Sequence, residues 1–130
     1  MARRKNELLT EVELEFMQTL WSLGQATVRE VHEALSQDPP RAYTSVATVL
    51  KVLEGKGYVC SEKEDRTLTY RPVYARSVYE QKFLRDTSNV MFGGAPSALV
   101  ARLIEDENLS EDMIAEIKMI IEERMGRDTP

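Results

Sequence analysis

The chain has 130 residues, 42% hydrophobic and 30% charged, a balance that suits folded structure and excludes an extended disordered chain. That length allows one domain with an appendage, or two small units. No apolar run of about 18 residues occurs, and the basic start Met1-Ala-Arg-Arg-Lys5 leads into acidic helix, so neither a membrane span nor a signal core is expected. A single cysteine, Cys60, excludes an internal disulfide and suits a reducing, cytoplasmic compartment. The formal net charge of −5 speaks mildly against nucleic acid, but its distribution matters more. Residues 76–130 carry 7 basic and 11 acidic side chains, whereas residues 40–72 carry 6 basic and 4 acidic, and Arg3, Arg4 and Lys5 add a basic tail.

In chain order, Thr10-Glu-Val-Glu13 has the Thr-x-x-Glu spacing of a capping box and predicts a helix to about Ser22. Leu14, Met17, Leu20 and Trp21 form its inward face. After Leu23-Gly24, Gln25-Ala26 can add a very short strand. Thr27-Val-Arg-Glu30 repeats the spacing and opens a second helix to about Gln37, with Val28, Val31 and Leu35 inward. His32 lies on a flank without Cys or His neighbours, a structural or solvated position rather than a metal ligand. Pro39-Pro40 stops this helix.

The third helix lies within residues 41–58. Val46, Val49, Leu50 and Leu53 recur at helical spacing as its buried stripe. Its other face carries Thr44, Ser45, Ala47, Thr48 and Lys51. A helix that only had to stay soluble would favour longer, better helix formers there. Small hydroxylic side chains let a backbone approach a large polar surface, and the floor of a DNA major groove fits that description. Gly55 and Gly57 are expected to end the helix.

Residues 58–63 and 67–73 are β-prone around Glu64-Asp65-Arg66, which predicts a hairpin with a charged tip. Alternation would turn Tyr58, Cys60, Leu68 and Tyr70 inward, leaving Cys60 a small buried hydrophobe. Three helices followed by a hairpin make a winged helix-turn-helix, with the third helix in the major groove and the hairpin on phosphates or the minor groove. Thr44, Ser45, Thr48, Lys51, Lys63 and Arg66 are then the candidate DNA-binding residues. From about Ala75 the chain becomes helical: residues 77–92, then a helix from Pro96 to about Asp106, then one capped by Ser110. In the last helix Ile114, Ile117, Ile121 and Met125 form a stripe that Met113 and Ile120 broaden. Faces this apolar on so small an appendage suggest burial against a second copy.

Leu9-Thr-Glu-Val-Glu-Leu-Glu-Phe-Met17, Leu20-Trp21, Thr27-Val-Arg-Glu-Val31 and Tyr43-Thr-Ser-Val-Ala-Thr-Val-Leu-Lys-Val-Leu-Glu-Gly-Lys-Gly57 are the stretches that carry a family resemblance. Tyr70-Arg-Pro72 and Phe92-Gly-Gly94 extend it, so it spans roughly residues 8–125. Taken together they resemble the bacterial penicillinase and methicillin-resistance repressors, with their copper-responsive relatives. The resemblance implies a dimeric repressor that blocks transcription at operators, with Thr44, Ser45, Thr48 and Lys51 on the operator and Arg66 in the wing. In the antibiotic-sensing branch a membrane receptor's signal leads to repressor cleavage at an Asn-Phe pair, and the matching position here is Arg102-Leu103. The copper branch ends in a metal-binding cysteine cluster, and this chain has no cysteine beyond Cys60.

The expected architecture is mainly α with a small β wing: a winged-helix DNA-binding domain over residues 1–74 and a helical dimerisation region over 75–130. The expected function is sequence-specific repression by a homodimer on a pseudo-palindromic double-stranded operator, without cofactor or metal. Any signalling protein or protease upstream is unspecified by the sequence. The alternative is a winged-helix module that binds another protein. An enzyme is disfavoured, because one His, one Cys and no glycine-rich phosphate loop leave only carboxylate pairs such as Glu62/Glu64.

Overall fold

Both capping boxes form. Thr10 Oγ1 accepts from the Glu13 amide at 3.1 Å while Glu13 Oε1 accepts from the Thr10 amide at 2.9 Å, opening α1 (Glu11–Leu23). Thr27 and Glu30 repeat the exchange at 3.2 and 3.0 Å, opening α2 (Val28–Ala34). Each box satisfies orphan amides at a helix start, so these boundaries were readable locally. In the computed structural model, which describes residues 8–35 and 37–127, the full order is α1, β1 (Ala26–Thr27), α2, α3 (Tyr43–Lys56), β2 (Val59–Glu64), β3 (Thr67–Pro72), α4 (Arg76–Met91), α5 (Pro96–Ile104) and α6 (Glu111–Arg127). The basic tail at Arg3, Arg4 and Lys5 lies outside the described residues.

The sheet is antiparallel in the order β1-β3-β2, so the two-residue β1 completes the wing from the far side of the hairpin. Phe16, Met17, Leu20, Val31, Val46, Leu50 and Leu53 are fully buried, with Tyr58, Val59 and Tyr70 nearly so. These side chains tie the three helices to the base of the wing. Tyr79, from the first half of α4, joins this core and accepts the Leu9 amide on its hydroxyl at 3.1 Å. Trp21 packs partly buried and donates Nε1–H to the Tyr74 carbonyl at 2.9 Å, which gives its polar edge a partner.

Three expectations are corrected. α2 stops at Ala34, short of the expected Gln37: Leu35 is its C-cap with an extended ψ of 154°, so the helix ends before Pro39-Pro40 is reached. Gly55 does not end α3. The helix passes through it to Lys56 and stops at Gly57, whose φ of +87° and backbone bonds to Leu53 and Glu54 carbonyls make the left-handed cap that glycine adopts without penalty. The alternation of β2 is also one residue out of phase, whereas Leu68 and Tyr70 of β3 turn toward the core as expected. Tyr70 pairs with Ser61 and Pro72 with Val59, so Val59 takes the core face and Cys60 stands half-buried on the other. There Arg71 Nε donates to Cys60 Sγ at 3.2 Å. Tyr58 is buried as part of the turn out of α3, before the strand begins, so it does not set the phase.

The first helix and the third are joined by an ion pair that the sequence did not advertise. Lys56 Nζ lies 2.8 and 2.7 Å from the two oxygens of Glu13, and both side chains are at least nine-tenths buried. One carboxylate therefore closes the α1 cap and grips the end of α3. Burial pushes the Glu13 carboxyl up, but the hydrogen bonds from Lys56 and the Thr10 amide outweigh it and hold the group below its ordinary value.

The chain divides into two compact units, the first ending at Phe83 and the second starting at Leu84. In the second unit, Gly93 and Gly94 take positive φ and interrupt the helical run, and Pro96 opens α5 at its first position. Ser110 Oγ accepts from the Met113 amide at 3.1 Å to cap α6. Glu111 and Asp112 in its first turn and Arg124 and Arg127 in its last complement the helix dipole.

Candidate nucleic-acid interface

Burying Val46, Leu50 and Leu53 turns Thr44, Ser45, Thr48 and Lys51 to solvent, and all four are exposed. Thr48 Oγ1 donates back to the Thr44 carbonyl at 2.9 Å. Its hydroxyl hydrogen is committed, so the surface it presents is a methyl group and acceptor lone pairs. No side chain caps the start of α3, where Ala42 is the N-cap. Lys51 sits two turns on, carrying the face's long cation.

The approach to α3 is held from behind. Arg41 Nη2 donates to Glu15 Oε2 at 2.7 Å, and its guanidinium lies 5.8 Å from the Phe16 ring centroid. His32 Nε2 donates to the Arg41 carbonyl at 2.8 Å, and its ring meets Tyr43 edge-on at 5.8 Å. His32 is thus structural, linking α2 to the first residue of α3.

At the wing, Glu64 pairs with Thr67, leaving Asp65-Arg66 as a two-residue loop with φ of +46° and +72°. Positive φ at both positions is the turn that matches strand twist, and it is unusual without Asn or Gly. It thrusts Arg66 into solvent. Lys63 is exposed one pair back. Between the wing and the helices lies a groove of about 400 Å³ lined by Thr27, Val28, Arg29, Tyr43, Arg66, Thr67 and Leu68. Of its cations only Arg66 was expected. Arg29 and Tyr43 were not, because only the pairing of Thr27 with Thr69 brings the start of α2 beside the wing.

Comparison with known proteins decides the family. The penicillinase repressor family model matches residues 9–123. The chain belongs to the penicillinase repressor family. Its similarity to the penicillinase repressor of Bacillus licheniformis is 27% identity over 124 residues, covering 95% of this chain and 97% of that one. MecI, the methicillin resistance regulatory protein of Staphylococcus aureus strain Mu50, is 23% identical, covering 89% and 94% of the two chains. A BlaI transcriptional regulator of Mycobacterium tuberculosis is 45% identical over 69 residues, 52% of this chain and 50% of that one. Among solved structures, the DNA-binding domain of the repressor BlaI superposes with a TM-score of 0.51 at 28% identity, covering 58% of this chain and 92% of that one.

The Bacillus licheniformis relative and the BlaI of the solved structure are repressors, MecI and the Mycobacterium tuberculosis BlaI are regulators, and the family is one of repressors rather than enzymes. The resemblance drawn from the motifs names the same family, and the winged-helix fold with its small sheet agrees with it. Among the described residues, no group of three His, Cys, Asp or Glu side chains is placed to hold a metal ion, and no helix is long and apolar enough to cross a membrane. Arg102-Leu103, the pair matched to the antibiotic branch's cleavage position, lies inside α5, where Arg102 pairs with Glu105 at 3.2 Å.

Proposed function

We propose that this chain is a cytoplasmic, sequence-specific repressor that binds double-stranded operator DNA as a homodimer. One observation carries the DNA reading: a winged helix whose third helix exposes Thr44, Ser45, Thr48 and Lys51 on one face. Lys51, Lys63 and Arg66 supply phosphate contacts, and the hydroxylic side chains select bases. With its hydrogen committed to Thr44, Thr48 offers an acceptor to an exocyclic amine of A or C, or its methyl to the methyl of T.

The dimer reading rests on the second half of the chain. Neither α5 nor α6 contains a buried residue, and Val90, Met91, Met119, Ile120 and Met125 are between 59% and 83% exposed. Apolar surface of that extent suits a second copy, in which two recognition helices face a two-fold operator. In this reading residues 1–74 hold the DNA contacts and 75–130 the dimer contacts.

Footprinting on the chain's own upstream DNA across a salt series tests the proposal. A protected, roughly two-fold symmetric site that weakens steeply with salt is expected. Protection no better than that of random DNA at low salt would instead favour a protein-binding module. Replacing Thr48 by Ala should cost roughly 1–3 kcal/mol on the specific site and little on random duplex. Equal losses on both would remove its base-reading role.

Arg66→Gly should separate stability from binding. Glycine relieves the left-handed backbone, raising stability by up to about 1 kcal/mol, while loss of the cation weakens DNA binding on every sequence. Thermal unfolding and duplex titration should therefore move in opposite directions, whereas a joint fall would show that Arg66 is structural.

A further inference from the structure

We propose that the groove between the wing and the start of α2 is a second anchor for the DNA backbone, with Arg29 and Tyr43 as its phosphate-contacting residues. The inference rests on the DNA-binding reading above and extends it to an element that the recognition-helix argument does not use. The groove is bracketed by two guanidinium side chains, Arg29 from α2 and Arg66 from the wing, and no carboxylate is among its lining residues. Its polar wall is hydroxylic, from Thr27, Tyr43 and Thr67. Thr27 Oγ1 accepts from the Glu30 amide, which leaves its hydrogen available for a phosphate oxygen. Cations and hydroxyl donors in a groove that no carboxylate lines are the chemistry that a phosphodiester selects.

Position points the same way. Tyr43 is the first residue of α3 and lines the groove with Arg66, so the groove adjoins the start of the exposed helix face. The Tyr43 ring is half-exposed but buttressed edge-on by His32, so its hydroxyl is presented from a supported wall. Arg29 makes one 3.2 Å contact with Glu33, and these side chains are 81% and 63% exposed. A single-contact pair in solvent is held weakly, and a phosphate can displace it at little cost. The geometry thus provides a backbone clamp that joins α2 and the wing to the start of the base-reading helix.

The test uses the full-length protein and two duplexes across a salt series: one carrying the site it protects upstream of its own gene, one of scrambled sequence. Arg29→Ala should weaken both duplexes by roughly 3- to 10-fold, lower the salt slope by about 1 and leave their affinity ratio and the melting midpoint unchanged. Arg29→Lys should recover the slope but only part of the affinity, since an ammonium lacks the guanidinium fork. Tyr43→Phe should lower affinity with no change in slope. If Lys51→Ala and Arg66→Ala weaken binding while Arg29→Ala leaves affinity and slope alone, the groove is merely solvated and the inference fails. A loss confined to the specific duplex would make Arg29 a base reader and overturn the phosphate assignment. If none of these variants alters binding, or the wild-type protein binds neither duplex, the DNA-binding reading itself fails.

Discussion

Replacing Glu13 by Ala should destabilise the first compact unit by about 3–5 kcal/mol, the cost of leaving a buried ammonium without its partner. Lys56 Nζ has both Glu13 oxygens within 2.8 Å and is nearly closed to water. Glu13→Gln dissects the effect, because glutamine can still close the capping box on the Thr10 amide and removes only the charge. It should cost less than alanine. Combining it with Lys56→Met should recover much of the loss, since two uncharged side chains no longer require a buried counter-ion. Denaturant unfolding of the wild type, Glu13→Gln, Lys56→Met and their combination as a double-mutant cycle measures the coupling. Additive costs would show that the pair contributes nothing beyond its separate contacts.

The same pair sets a pH dependence. Because the folded Glu13 carboxyl titrates below its unfolded value, its contribution is fully present above the ordinary carboxylate range. It is lost as pH falls through that range toward the folded value. The wild-type stability curve should therefore drop on acidification more steeply than that of Glu13→Gln. Parallel curves would remove Glu13 as a source of acid sensitivity.

The second large effect concerns assembly. Ile121→Glu with Met125→Lys should turn the proposed dimer into a monomer and lower affinity for a two-half-site operator by roughly 10²- to 10⁴-fold. Both side chains are well exposed in the single chain, at 48% and 66%. The new Glu and Lys lie four residues apart in the favourable order, so α6 itself should keep its helix. Sedimentation, circular dichroism and titration against one and two half-sites together check this. Unchanged helix content, halved mass and unaltered half-site affinity are expected. A variant that remains dimeric would place the interface on another face.

The elements that the chain announces are those whose signals are local. Thr10/Glu13 and Thr27/Glu30 lie three residues apart, so the caps are written in short words that need no knowledge of the fold. The buried stripe of α3 and the opposite Thr44–Lys51 face follow from a period of 3.6 and from side-chain size alone. Gly57 and Gly55 look alike in sequence. Only the turn into β2 decides that Gly57 takes the left-handed cap while Gly55 stays helical.

The misread features are those in which a distant partner chooses. The phase of β2 is set by Ser61 pairing with Tyr70, so a strand that fits either face by composition turned Val59 inward and Cys60 out. Glu13 reads as a helix-capping acid and Lys56 as an end-of-helix base, each sufficient alone, yet 43 residues of chain separate the two ends of one buried pair. Arg29 reads as an exposed helix residue until β1 joins β3 and draws the start of α2 to the wing.

By itself, then, the sequence determined the helix starts, the amphipathic faces, the order of elements that makes a winged helix, and the family. These depend on interactions within a few residues, or on patterns spread along the whole chain. The tertiary structure alone decided the strand phase, the Glu13–Lys56 union and the Arg29–Tyr43–Arg66 groove. Each requires particular distant residues to meet, and residue type says which meetings are favourable without saying which of them the packed chain allows.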